Sequence, residues 1–148
     1  MDLKEFWNGY KKKFGYDKEY CYSYYFCDNK DDADELGELV LTGRKKATAS
    51  NYASYKHDNE PLPKAGDLNI ITNFDGKPLC VIETTKVDSI PFKDVPEEFA
   101  ALEGEGDLSL DFWRREHKRF FTEELKQIGM EFNEDILVVC ESFKVVYK

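Results

Sequence analysis

Apolar positions follow two distinct periods along this chain. Leu3, Phe6, Trp7, Tyr10 and Phe14 recur at helical spacing, with Lys4, Lys11 and Lys12 on the other face. This spacing predicts an amphipathic helix closed by Gly15. The aromatic run 20–26 (YCYSYYF) reads as extended chain. The polar stretch 28–35 supplies turn and cap residues, with Asp32 and Glu35 at capping-box spacing. Ala33, Leu36 and Val40 then mark one face of a second helix that stops at Gly43.

Residues 47–56 read as extended and 57–67 as loop. The runs LNIITNF and PLCVIETTKV read as strands joined as a hairpin through Asp75-Gly76. A loop and a short helix follow across 91–107. Over 108–128, Leu110, Trp113, His117, Phe120, Phe121, Leu125 and Ile128 fall within one stripe, which predicts a helix ending near Gly129. The last segment, DILVVCESFKVVYK, is apolar on both faces and reads as a central strand. Helices against a mixed, curled sheet give an α+β class.

The 148 residues suit one domain spanning 1–148, and the 41% hydrophobic and 15% aromatic content can fill its core. The formal charge is −9. A protein that tracks long duplex DNA needs a basic surface, so that class is excluded, and a nucleoside or short single-stranded RNA fits better. Cysteines stand at 21, 27, 80 and 140 with no CxxC pair, and there are two histidines. Neither a metal nor another cofactor is expected from that spacing. No apolar stretch is long enough to span a bilayer. The absence of an apolar leader predicts a cytoplasmic protein with reduced cysteines.

Candidate chemistry gathers in three stretches. In GRKKATAS, residues 43–50, three cations follow Gly43 at once. They can match the dipole of the preceding helix, or Lys45 beside Thr48 can bind an oxygen and activate the hydroxyl. In EGEGD, 103–107, carboxylates alternate with glycines; Asp107 can cap the next helix, whereas Glu103 lies too far upstream. In WRREHKR, 113–119, Trp113, Arg114 and His117 are either core and margin residues or ligand contacts. Glu83 and Glu141 sit in apolar strands, where a carboxylate either needs a partner such as Lys45 or Arg44 or points outward.

GRKKATAS resembles the G-x-K-x-x-T-x-R signature of ASCH domains, relatives of the PUA RNA-binding domain. Gly43, Lys45 and Thr48 match, and Ser50 stands where the signature has arginine. The likeness continues through ADELGELVLTG, LPKAGD, GKPLCVIETTKV, PFKDV, FAALEGEGDLSLDFWRREHKRFF and CESFKVVY. The resemblance implies a PUA-like mixed β-barrel flanked by helices, with a cleft beside the signature. It also makes residues 1–30 an N-terminal helical extension. One branch of the family hydrolyses N4-acetylcytidine with a lysine, a threonine and a glutamate, which fall on Lys45, Thr48 and Glu103. Another branch is ribonucleolytic, and a non-catalytic RNA-binding module is a further reading. Around the three catalytic positions, the candidate ligand contacts are Arg44, Lys46, Ser50, Glu83, Glu105, Trp113, Arg114 and His117.

Overall fold

The computed structural model describes residues 1–27 and 29–148. The first helix, α1 (Leu3–Phe14), starts where the Asp2 carboxylate accepts the Glu5 N–H and ends at left-handed Gly15, whose N–H bonds the Lys11 carbonyl. Its stripe of Phe6, Trp7 and Tyr10 is buried against Leu68, Ile70 and Val81. Strand β1 (Tyr22–Tyr24) follows, so residues 1–30 contribute a strand as well as a helix.

Helix α2 (Lys30–Leu41) begins at Asn29 rather than Asp32. Asn29 accepts the Asp32 N–H and donates its own amide to the Asp32 carboxylate, so the reciprocal cap sits one turn earlier than expected. The turn expected from Asp28 lies outside the described residues.

Strand β2 (Ala47–Asn51) is shorter than the extended segment expected over 47–56. The Asn51 side chain accepts the Ala53 N–H and opens a six-residue helix, α3 (Tyr52–His57). Strands β3 (Leu68–Thr72) and β4 (Pro78–Pro91) form the expected hairpin, with Gly76 at φ 86° in its turn. A 3₁₀ turn (Phe92–Asp94), α4 (Glu97–Glu103), α5 (Leu110–Gln127) and β5 (Leu137–Tyr147) complete the chain. Ser109, not Asp107, caps α5 by accepting the Phe112 N–H.

The five strands form one sheet in the order β1-β3-β4-β5-β2. β1 runs parallel to β3, and every other pair is antiparallel. Register shifts at Val81/Ile82 and at Thr84/Lys86 bend the long β4–β5 ribbon, and the sheet curls into a half-barrel. β5 is interior to the sheet, as its two apolar faces require. β1 and β2 are the two edges, and the barrel is open between them. Three apolar clusters fill the fold: one under α4 and α5 around Phe92, Trp113 and Phe121, one under α2 around Val40 and Ile82, and one under α1.

Candidate functional site

The basic stretch after α2 is tied to the loop after α4 by backbone contacts. Gly43 turns the chain at φ 83°. The Lys45 N–H then returns to the Leu39 carbonyl, and the Lys46 N–H bonds the Leu102 carbonyl at 2.7 Å. Arg44 reaches across with its guanidinium to the Gly106 carbonyl at 2.8 Å. These bonds turn the Lys45 side chain inward, where only 2% of the residue remains exposed.

Every polar contact of Lys45 Nζ is an acceptor. They are the Ala47 carbonyl at 2.9 Å, Glu105 Oε2 at 2.8 Å, and Glu103 through Oε1 at 3.5 Å and its carbonyl at 3.4 Å. The nitrogen also lies 5.0 Å from the Phe26 ring centroid. It is thus the donor in each polar contact.

Glu103 ends α4 and is equally buried, at 2% exposed. Its Oε2 accepts the indole N–H of Trp113 and lies 3.0 Å from His117 Nε2. Trp113 and His117 are one turn apart on α5, and their rings stack at 4.2 Å. His117 Nδ1 is 2.9 Å from the Trp113 carbonyl oxygen. Both ring nitrogens face acceptors, so both carry protons and the ring is an imidazolium. Burial lowers the His117 pKa, but the Glu103 charge and hydrogen bond outweigh it, and the net shift is upward. Burial likewise pushes the Glu103 carboxyl up, but the charges of His117 and Lys45 overcome it and hold the group at about 2. An NMR titration of the His117 ring is therefore expected to give a pKa above 6.5 in the native protein and a lower one in Glu103→Gln. Equal values in the two proteins would refute the pairing.

Lys45, Thr48, Glu103, Glu105 and His117 line one cleft of about 570 Å³. Phe26, Phe112 and Phe120 contribute apolar wall, a feature no short motif signals. The Thr48 hydroxyl has no hydrogen-bond partner among the described residues. Trp113 lies beneath the cleft and anchors Glu103. The other expected contacts fall elsewhere. Arg44 is spent on Gly106, Lys46 is exposed beside Lys148, and Arg114 donates to the Lys93 carbonyl. Glu83 is half-buried on β4 and acts electrostatically on Tyr10 of α1, away from the cleft. Helical phase and ladder register set these directions, and neither basic charge nor proximity in sequence reveals them. Ser50 and Thr48 border a second cavity, of about 500 Å³, whose floor includes Glu141. Glu141 pairs with neither Lys45 nor Arg44; its Oε2 accepts the Thr84 hydroxyl at 2.6 Å.

Among the described residues no cluster of three histidine, cysteine or acidic side chains could hold a metal ion, and no helix is long and apolar enough to cross a membrane.

The ASCH-domain family model matches residues 22–147. The chain belongs to the ASCH family. ASCH domains are PUA-like modules associated generally with RNA binding, and the curled half-barrel fits that fold. The ASCH domain from Lactobacillus crispatus JV V101 is 40% identical, with a TM-score of 0.92 over 98% of this chain and 94% of its own. Protein EF3133 from Enterococcus faecalis V583 is 41% identical, with a TM-score of 0.92 over 98% and 88% of the two chains. The hypothetical protein PH0355, at 17% identity and a TM-score of 0.53, shares the fold alone. No curated protein matches the chain. In this ASCH domain the signature lysine and threonine line the same cleft, where the lysine lies 2.8 Å from Glu105 and 3.5 Å from Glu103.

Proposed function

We propose that this ASCH domain binds a single modified nucleoside and hydrolyses its N-acyl amide, with N4-acetylcytidine as the substrate to test first. The observation that carries the reading is a buried ammonium group and an unengaged hydroxyl on one cleft. The cleft's rim supports a small uncharged ligand. Asp32, Glu35, Glu105 and Glu116 line it, and its one exposed cation among the described residues, Arg119, is paired with Glu116 at 2.7 Å. A phosphate chain would meet net repulsion there.

In the proposed reaction Thr48 Oγ attacks the acyl carbon. Its proton passes to Glu105, which is part-exposed on a loop between two glycines. Lys45 donates to the carbonyl oxygen as that atom takes on negative charge. The C–N bond breaks, Glu105 returns the proton to the departing nitrogen, and an acyl ester remains on Thr48. Water then attacks the ester; Glu105 takes the water's proton and returns it to Thr48 Oγ as the acid leaves. Glu103 is a poor base at about 2, so its part is to hold Lys45 and His117 in place.

The test follows cytidine release from N4-acetylcytidine by wild type and Lys45→Ala. Turnover should fall by about a hundredfold or more when the oxyanion donor is lost. No release by wild type above the variant overturns the hydrolase. A second reading, a binding module without turnover, is favoured by the fact that Glu105 and Glu103 already occupy Lys45. Wild type that binds cytidine or a short RNA without turnover would establish it.

A further inference from the structure

Among the described residues, the second cavity holds the one buried carboxyl that the proposed reaction does not use. Glu141 is 5% exposed and its single hydrogen bond among the described residues comes from Thr84. Burial pushes its carboxyl above the usual carboxylate range, against the Thr84 hydrogen bond. A lone buried carboxyl with one hydroxyl partner contributes little to stability, and an apolar pair would fill the space as well. Its surroundings are those of a ligand pocket. Tyr22, Tyr24 and Tyr55 line the cavity with Glu141, Pro61 and Leu62 add apolar wall, and the Lys64–Asp67 ion pair also borders it. Tyr22, on edge strand β1, is half exposed. Glu141 also lies directly opposite Thr48 in the β2–β5 ladder. Cross-strand partners share a face with their Cβ atoms about 5 Å apart, so a ligand held by Glu141 is within reach of Thr48.

The geometry points to this cavity as the base-recognition pocket: a planar nitrogen heterocycle enters among the tyrosines and donates an N–H to Glu141. The inference rests on the reading of the ligand as a nucleoside. It divides the labour between two cavities that meet at Thr48. The Glu141 side holds the ring, and the Lys45 side receives the substituent on it. Aromatic walls suit any base, whereas the carboxyl selects an edge that carries a donor.

The test compares equilibrium binding of cytidine and N4,N4-dimethylcytidine, which lacks the exocyclic N–H. Wild type should favour cytidine by about tenfold, the worth of one hydrogen bond to a charged or strongly polar group. In Glu141→Gln the amide oxygen can keep the Thr84 bond while its NH₂ turns to the cavity. That variant should lose about tenfold in cytidine affinity and with it the preference. Tyr22→Ala, at a half-exposed edge position, should weaken both nucleosides about fivefold or more without unfolding the protein. If both variants bind cytidine as wild type does while Lys45→Ala does not, the base sits in the other cavity. This inference then fails and the hydrolase reading stands. If Glu141→Gln loses cytidine but wild type turns nothing over, the pocket stands and the hydrolase falls. Failure of wild type to bind either nucleoside overturns both.

Discussion

Glu103→Ala is expected to lower the thermal midpoint by on the order of 10 °C. The side chain is the common acceptor for Lys45, the Trp113 indole and His117. Its removal strands the His117 ring and an indole N–H and takes one of two carboxylates from buried Lys45, which keeps Glu105 and the Ala47 carbonyl. Breaking a buried pair from one side costs about 3–5 kcal/mol, and for a domain of this size each kcal/mol moves the midpoint by about 2–4 °C. Glu103→Gln keeps the shape and the indole bond but not the charge, and should fall between.

The same network sets a pH window. Glu103 has a folded pKa of about 2, below its ordinary 4.5. Its contribution is present above the unfolded value and is lost as pH falls through the folded one; that separation is worth about 3 kcal/mol. His117 has a raised folded pKa. Its contribution is full below the unfolded value near 6.5 and is lost as pH rises through the raised one. Denaturant midpoints from pH 2 to 9 should therefore trace a bell in wild type, flattened on both arms in Glu103→Ala. A variant with the wild-type midpoint and profile would show that the network is not structural.

Gly104→Ala is expected to cost about 3 kcal/mol or more, and to dislodge the acidic loop from Lys45. Gly104 has φ 71°, where a side chain is strained by about 1–2 kcal/mol. An added Cβ would also collide with the Arg44 carbonyl oxygen, at 2.6 Å from the carbonyl carbon and 2.9 Å from the Lys45 nitrogen. These are backbone atoms pinned by the Lys45–Leu39 and Lys46–Leu102 bonds, so they cannot give way. Gly129→Ala is the control: φ is 75°, but nothing lies within 4 Å of the new Cβ. It should cost only the conformational part. Urea unfolding of the pair isolates the close approach, and equal losses would refute it.

The long helices were legible because α1, α2 and α5 carry stripes that show at any register. Helix α3 was not: six residues carry no stripe, and Asn51 looks the same inside a strand as at a cap. In the site, Lys45, Thr48 and Glu103 were reached through the signature and the acidic loop. Glu105 followed from the alternation of carboxylates with glycines. His117 reads from sequence as either a core or a ligand residue; in the fold it lines the cleft and pairs with Glu103. Arg44 and Arg114 show the limit of counting cations, since each turns one guanidinium N–H to a carbonyl across the fold and neither lines the cleft. Glu141 reads from sequence as a partner of Lys45 or Arg44 or as outward-pointing, and in the fold it accepts from Thr84 instead. Its neighbours on β2 and β4 come from ladder register, which a strand apolar on both faces does not reveal.

The open side of the half-barrel bears on how anything enters. Both cavities meet at Thr48 on edge strand β2, and Tyr22 and Tyr24 on edge strand β1 face the second of them. Among the described residues no ladder hydrogen bond joins those two edges, so parting them sacrifices none. The two edges form a clasp without a lock, with the second cavity between its jaws.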